Sequence, residues 1–189
     1  MYLTGGQLKS TKLEFSKSSK QRPTKAKVRQ AIFDILQNKC SLSNCDVLDL
    51  CCGTGALGLE AYSRGAKLLY LVDTYIQTVY KNCKHCGCIS NPNVKIIKKD
   101  AIRFLKSNAQ LFHLIFFDPP WHHQELYNQL LNAKQINQIL HPKGYLIVEM
   151  PSKNAQISLP DTFHIQCYNY GNTTLNIISY VNETRNISR

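Results

Sequence analysis

The residues of this chain best suited to chemistry are four aspartates and one glycine run. In Asp49-Leu-Cys-Cys-Gly53-Thr-Gly55-Ala-Leu-Gly58, small residues stand between an apolar run and a helical pattern. There the backbone can approach a bound nucleotide cofactor closely, although the same loop would serve other nucleotides as readily. Asp73 closes the next apolar run, twenty residues after Gly53, where a carboxylate can accept from both hydroxyls of a ribose. Asp100 follows Lys98-Lys99, placed to take the exocyclic amine of an adenine while Ala101 and Ile102 flank the ring. Helix N-capping is the competing role for both Asp73 and Asp100. The fourth carboxylate opens Asp118-Pro119-Pro120-Trp121, directly after Leu114-Ile-Phe-Phe117.

Charge discriminates among cofactors. Asp49, four residues before Gly53, is positioned to hold a positively charged amino group, which S-adenosylmethionine carries and nicotinamide dinucleotides lack. Strand-end carboxylates at Asp49, Asp73, Asp100 and Asp118 would serve phosphates poorly. Cys51, Gly53, Thr54, Gly55 and Ala101 complete the expected cofactor lining, with Cys51 and Cys52 read as small packing residues and not as nucleophiles. An exocyclic purine amine is a weak nucleophile whose lone pair is delocalised, so it must be oriented. The Asp118 carboxylate and the Pro119 carbonyl can accept its hydrogens, Pro119 and Pro120 stiffen the loop, and Trp121 offers a stacking face. A plain strand-ending turn with a core tryptophan is the structural alternative. His122 and His123 are assigned no catalytic role.

The elements that must position these groups alternate strand and helix patterns. Val47–Leu50, Leu68–Val72, Val94–Ile97, Leu114–Phe117 and Tyr145–Glu149 read as strands. Ala56–Arg64, Ile76–Cys86, Ala101–Asn108 and Leu126–Leu140 read as the helices between them. Such βαβ repetition predicts an α/β fold with a mostly parallel sheet, ligands binding beyond the strands' carboxyl ends. Thr162–Tyr170 and Thr174–Val181, split by Gly171-Asn172, predict a C-terminal antiparallel hairpin. Pro151–Pro160 reads as a loop, and the last eight residues as frayed.

With 189 residues and 43% hydrophobic content the chain is expected to form one domain, residues 1–39 a basic N-terminal arm and helix and residues 40–189 the catalytic core. The net charge of +11 is concentrated early, since residues 1–39 hold nine Lys or Arg against Glu14 and Asp34. That surplus favours a polyanionic partner. Met1–Leu13 reads as an exposed arm with short strands. A helix follows Arg22-Pro23-Thr24, with Thr24 able to cap it, Val28, Ala31, Ile32, Ile35 and Leu36 facing inward, and Lys25, Lys27 and Arg29 facing outward. Arg22, Thr24, Lys25, Lys27 and Arg29 are the candidate nucleic-acid contacts. No apolar run approaches the roughly 18 to 20 residues of a membrane span. Eight cysteines in a chain of this size are expected as reduced thiols, in a soluble, cytoplasmic protein. Cys83-Lys-His85-Cys86-Gly-Cys88 has zinc-like spacing without a second cluster, so a helix end at Gly87 is preferred and no metal is expected.

Over nearly its whole length the chain resembles the RsmD-type methyltransferases. The resemblance rests on Gly5-Gly6, Arg22-Pro23-Thr24 with Val28-Arg29, Leu48-Asp49 with Gly53-x-Gly55-Ala-Leu-Gly58, Glu60-Ala61, Ser63-Arg64-Gly65-Ala66, Asp118-Pro119-Pro120 and Tyr170-Gly171 with Thr173. It implies a seven-stranded, Rossmann-like class I methyltransferase sheet with the cofactor over the Gly53 loop. It also implies methylation of the N2 amine of one guanine in small-subunit (16S) ribosomal RNA, naked or in an assembling subunit, without metal or covalent enzyme intermediate. Trp121 departs from this pattern, which has an aliphatic or phenylalanine-type residue there, and is similar instead to adenine-N6 methyltransferases. Adenine-N6 methylation of RNA or DNA, protein amide methylation and a non-catalytic RNA-binding module are the competing functions.

Overall fold

The computed structural model describes residues 1–15, 26–120, 124–154 and 156–181. Seven strands form one sheet: β1 Asp46–Leu50, β2 Leu68–Asp73, β3 Val94–Lys98, β4 Phe112–Phe117, β5 Leu140–Pro151, β6 Phe163–Tyr170 and β7 Thr173–Tyr180. Their order is β3-β2-β1-β4-β5-β7-β6, parallel from β3 to β5, with β7 antiparallel to both neighbours. The hairpin thus closes the sheet by inserting its second strand beside β5. The order reverses between β1 and β4, and it is there that an open α/β sheet leaves a crevice at its carboxyl edge.

Helices α1 (Ala26–Gln37), α2 (Ala56–Ser63) and α3 (Gln77–His85) share an apolar cluster with one sheet face; α4 (Ala101–Ser107), α5 (Gln124–Leu130) and α6 (Ala133–Ile139) contribute to that on the other. Burial on both faces explains why β4 reads as the unbroken apolar run Leu114–Phe117. α1 docks through Val28, Ile32, Phe33 and Leu36, all buried, and Phe33 meets Phe116 of β4 at 5.7 Å between ring centroids. Each such side chain stabilises the docking by about 1.5–3 kcal/mol relative to exposure.

Several expectations need correction. The arm is not a loose exposed segment: Leu3 and Leu13 are buried, Tyr2 bridges Lys12, and Thr4 N–H donates to the buried Glu60 of α2. Arg29 does not face solvent. It is 1% exposed, donates to the Tyr2 carbonyl and lies 3.7 Å from Glu60, because the folded arm supplies the acceptor and α2 the counter-charge. The single helix expected over Leu126–Leu140 is two, since Asn132 adopts an extended conformation and caps α6 by accepting from Gln135 N–H. β5 starts at Leu140, not Tyr145, and takes Pro142-Lys143-Gly144 into the strand through a register shift against β4. Arg22, Thr24 and Lys25, Trp121, His122 and His123, and the final eight residues lie outside the described residues. No helix among the described residues is long and apolar enough to cross a membrane.

Candidate cofactor and acceptor site

Strand register brings the carboxylates to one edge. Leu50 pairs with Val72 on one side and Phe117 on the other, Val72 with Ile97, and Phe117 with Val148. The next residues, Cys51, Asp73, Lys98, Asp118 and Glu149, therefore form a row at the carboxyl edge. Asp49 lies two positions back on β1, on the α2 side, almost fully buried, where Gly58 N–H donates to its Oδ2 at 2.8 Å. Burial pushes the Asp49 carboxyl up to about 7, Gly58 opposing this and the charges of Asp118 and Asp73 adding to it. The Cys51 thiol is likewise pushed up, first by burial and then by Asp73, Asp49, Asp118 and Asp100. All four aspartates thus act on one point, and the thiol beside them stays protonated and non-nucleophilic, as the packing role expected of it requires.

The loop has the shape that its glycines dictate. Gly55 enters α2 with φ 74°, a left-handed conformation that side chains rarely adopt. Gly58 lies so close to the sheet that a Cβ there would sit 2.7 Å from Leu71 Cδ2 and 3.1 Å from Asp49 Cβ. Gly53 N–H donates to Asp73 Oδ2 at 2.8 Å, while Tyr75 N–H donates to Oδ1 at 3.0 Å. Each carboxylate oxygen has two acceptor positions, so Asp73 can hold the loop and still accept from a ribose hydroxyl. Asp100 caps α4 through Oδ1, accepting from Ile102 and Arg103 N–H. The capping alternative is realised there, and Oδ2 makes neither of these bonds. Asp73 caps no helix, because Ile76 stands at the N-cap of α3. Thr54 and Ala101 are buried beside these groups.

On the acceptor side Pro119 is buried and Pro120 exposed. Two residues unmarked by the sequence pattern organise the site. Tyr127 of α5 donates its hydroxyl to Glu149 O at 3.0 Å and approaches Pro119 O at 3.4 Å, tying the Asp118 loop to β5. Asn82 of α3, fully buried, donates to Thr54 O in the glycine loop at 2.8 Å. Their partners are backbone carbonyls distant in sequence, so no residue spacing announces them. Arg29 leaves the set of candidate RNA contacts, whereas Lys27 is exposed on α1. Cys83, Cys86 and Cys88 are buried in the core while His85 turns outward to Glu14 at 3.8 Å, and among the described residues no group of metal-binding side chains forms. α3 ends at His85 with Gly87 just beyond, as expected.

Residues 1–179 match the family described as Conserved hypothetical protein 95. Ribosomal RNA small subunit methyltransferase D of Escherichia coli (strain K12) is 30% identical over 161 residues, 84% of this chain and 78% of that protein. The protein of the same name in Haemophilus influenzae is 30% identical over 183 residues, 94% of this chain and 90% of its own length. A solved hypothetical protein of Thermus thermophilus has the same fold, with a TM-score of 0.77 at 23% identity, covering 95% of this chain and 99% of that one.

Proposed function

Since this chain belongs to the Conserved hypothetical protein 95 family and is a methyltransferase, we propose that it methylates the exocyclic N2 amine of a guanine in small-subunit ribosomal RNA, using S-adenosylmethionine. The observation that carries the reading is the set of carboxylates beside the glycine loop: Asp49 and Asp73 bonded to its Gly58 and Gly53 N–H groups, Asp118 following β4 on the neighbouring strand, and Asp100 opening α4. Such a negative centre favours a cofactor bearing an ammonium and a sulfonium over one bearing phosphates. The residues fit that group: Asp49 would take the ammonium, Asp73 the ribose hydroxyls, Oδ2 of Asp100 the adenine amine, with Ala101 at the ring and Cys51, Gly53, Thr54 and Gly55 along the chain. When bound, the cofactor supplies an electrophilic methyl group on sulfur.

The chain's own part in the reaction is orientation. Asp118 and the Pro119 carbonyl accept the hydrogens of a base amine, which turns its lone pair outward from the ring and localises it for attack. Asp118 then lies where the proton released on nitrogen has an acceptor. Pro120 limits the loop's freedom and Tyr127 holds the Pro119 carbonyl against β5. The base must leave its stack to reach this edge, and Trp121 would provide the new stacking face.

The basic segment of residues 1–39 supports an RNA partner, with Arg22, Thr24, Lys25 and Lys27 as the contacts once Arg29 is set aside. Eight unpaired cysteines support a reducing cytoplasm. The arm and α1 belong to the same apolar cluster as α2 and β1, which supports one domain over residues 1–189 with the arm as an integral part.

Labelled-methyl transfer to unmodified small ribosomal subunits, followed by nucleoside mass spectrometry, tests the reaction. N2-methylguanosine is expected, and Asp118→Ala should abolish it. N6-methyladenosine would instead favour the adenine reading that Trp121 supports, and no transfer to RNA would redirect attention to a protein amide.

A further inference from the structure

The cofactor loop and the N-terminal arm meet at one side chain. Asn82 is 0% exposed and makes three hydrogen bonds with two segments far apart in sequence. Its Nδ2 donates to Thr54 O at 2.8 Å in the glycine loop and to Glu14 O at 3.2 Å in the arm, and its Oδ1 accepts from Glu14 N–H at 2.7 Å. Both donor hydrogens are used, and the acceptor is engaged. No other side chain of this size can satisfy the set: aspartate would face two carbonyls with an acceptor, and leucine would leave three buried backbone groups without partners. Thr54 has its side chain buried, and the loop it belongs to is also held from the other side by the Gly53–Asp73 bond.

The outer contacts of the arm's end are weak by comparison. Among the described residues the Glu14 side chain meets Lys81 and His85 through exposed ion pairs at 3.8 Å, which contribute little. Asn82 is therefore the polar attachment of the arm at Glu14, next to the apolar one at the buried Leu13, and the arm's exposed Lys9 and Lys12 are part of the basic surplus.

We propose that Asn82 is a positioning residue that couples cofactor binding to RNA binding. The inference rests on the function proposed above. A cofactor seated on the loop fixes Thr54, hence the Asn82 amide, hence the backbone at Glu14. RNA then meets the chain at Glu14, beyond the buried Leu13, already held, and less conformational entropy is lost in binding it. Such coupling is reciprocal, so RNA tightens the cofactor by the same factor.

The test measures binding of unmodified small-subunit ribosomal RNA with and without saturating S-adenosylhomocysteine. Wild type should bind the RNA roughly fivefold tighter or more with the ligand present. Asn82→Asp should bring that ratio below about twofold. Glu14→Pro, which deletes the N–H that Oδ1 accepts and leaves Asn82 itself in place, should do the same while calorimetric affinity for S-adenosylhomocysteine is retained. Glu14→Ala keeps the backbone bonds and should keep the ratio. A wild-type ratio near one, or a full ratio in Glu14→Pro, overturns the coupling. Wild type that methylates the RNA yet has a ratio near one defeats the coupling alone, whereas wild type that binds S-adenosylhomocysteine but no ribosomal RNA defeats the functional reading as well.

Discussion

At the scale of the residue, the ammonium-binding role proposed for Asp49 makes a demand opposite to that of folding. Its carboxyl is raised from 3.8 to about 7, chiefly by burial. The folded chain therefore holds this proton more tightly than the unfolded chain. The resulting contribution to stability is fully present below about 4 and is lost as the pH rises through about 7. An ammonium, by contrast, needs the ionised carboxylate. Calorimetry between about pH 5.5 and 8 should thus find cofactor affinity falling by up to about tenfold per unit below the Asp49 titration, while the ligand-free protein's melting temperature gains the Asp49 contribution over the same descent. Asp49→Asn should flatten both trends and weaken cofactor binding at about pH 8. An affinity in wild type that does not change with pH would remove Asp49 from the ammonium site. Asp73 and Asp118 were legible from the sequence because each closes an apolar run, and Asp49 because it stands four residues before Gly53. Of the two roles that the sequence offers Asp100, the fold realises the cap, which uses Oδ1.

At the scale of the element, the arm, α1 and α2 are joined through the fully buried carboxylate of Glu60. Thr4 donates to it from backbone and hydroxyl at 2.7 and 2.8 Å, Arg64 lies 3.0 Å away and Arg29 3.7 Å. Removing one member of a buried ion group strands the others, at a cost of about 3–5 kcal/mol. Arg29→Ala should accordingly lower the unfolding free energy measured in urea by that amount, and in folded protein should leave the salt slope of RNA binding unchanged. A stable Arg29→Ala protein with a shallower slope would restore the outward, phosphate-binding role that its charge implied. The spacing Arg29, Ile32, Phe33, Leu36 in fact puts Arg29 on the buried face; its charge made it read as outward, and only the folded arm puts the Tyr2 carbonyl beside it. Likewise the break at Asn132 is invisible to periodicity, since a capping side chain and a surface side chain read the same until the backbone turns.

At the scale of the whole molecule, the charge of +11 should govern RNA affinity through counterion release. Lys9, Lys12 and Lys27 are exposed on the described arm and α1. Filter binding of the triple alanine variant across a salt series should find the slope of log affinity against log salt shallower by about 0.7 to 0.9 for each phosphate no longer neutralised. An unchanged slope would move the RNA path off this face. Periodicity and residue type, both local, suffice for the alternation that makes a parallel sheet, for the glycine loop and for the carboxylates near strand ends. The tertiary structure alone decided that β7 lies between β5 and β6, that Arg29 is buried, and that Tyr127 and Asn82 tie the acceptor and cofactor loops in place. The reason is physical: these arrangements depend on backbone groups and counter-charges brought together from distant segments, and a hydrogen bond to a remote carbonyl leaves no trace in local composition.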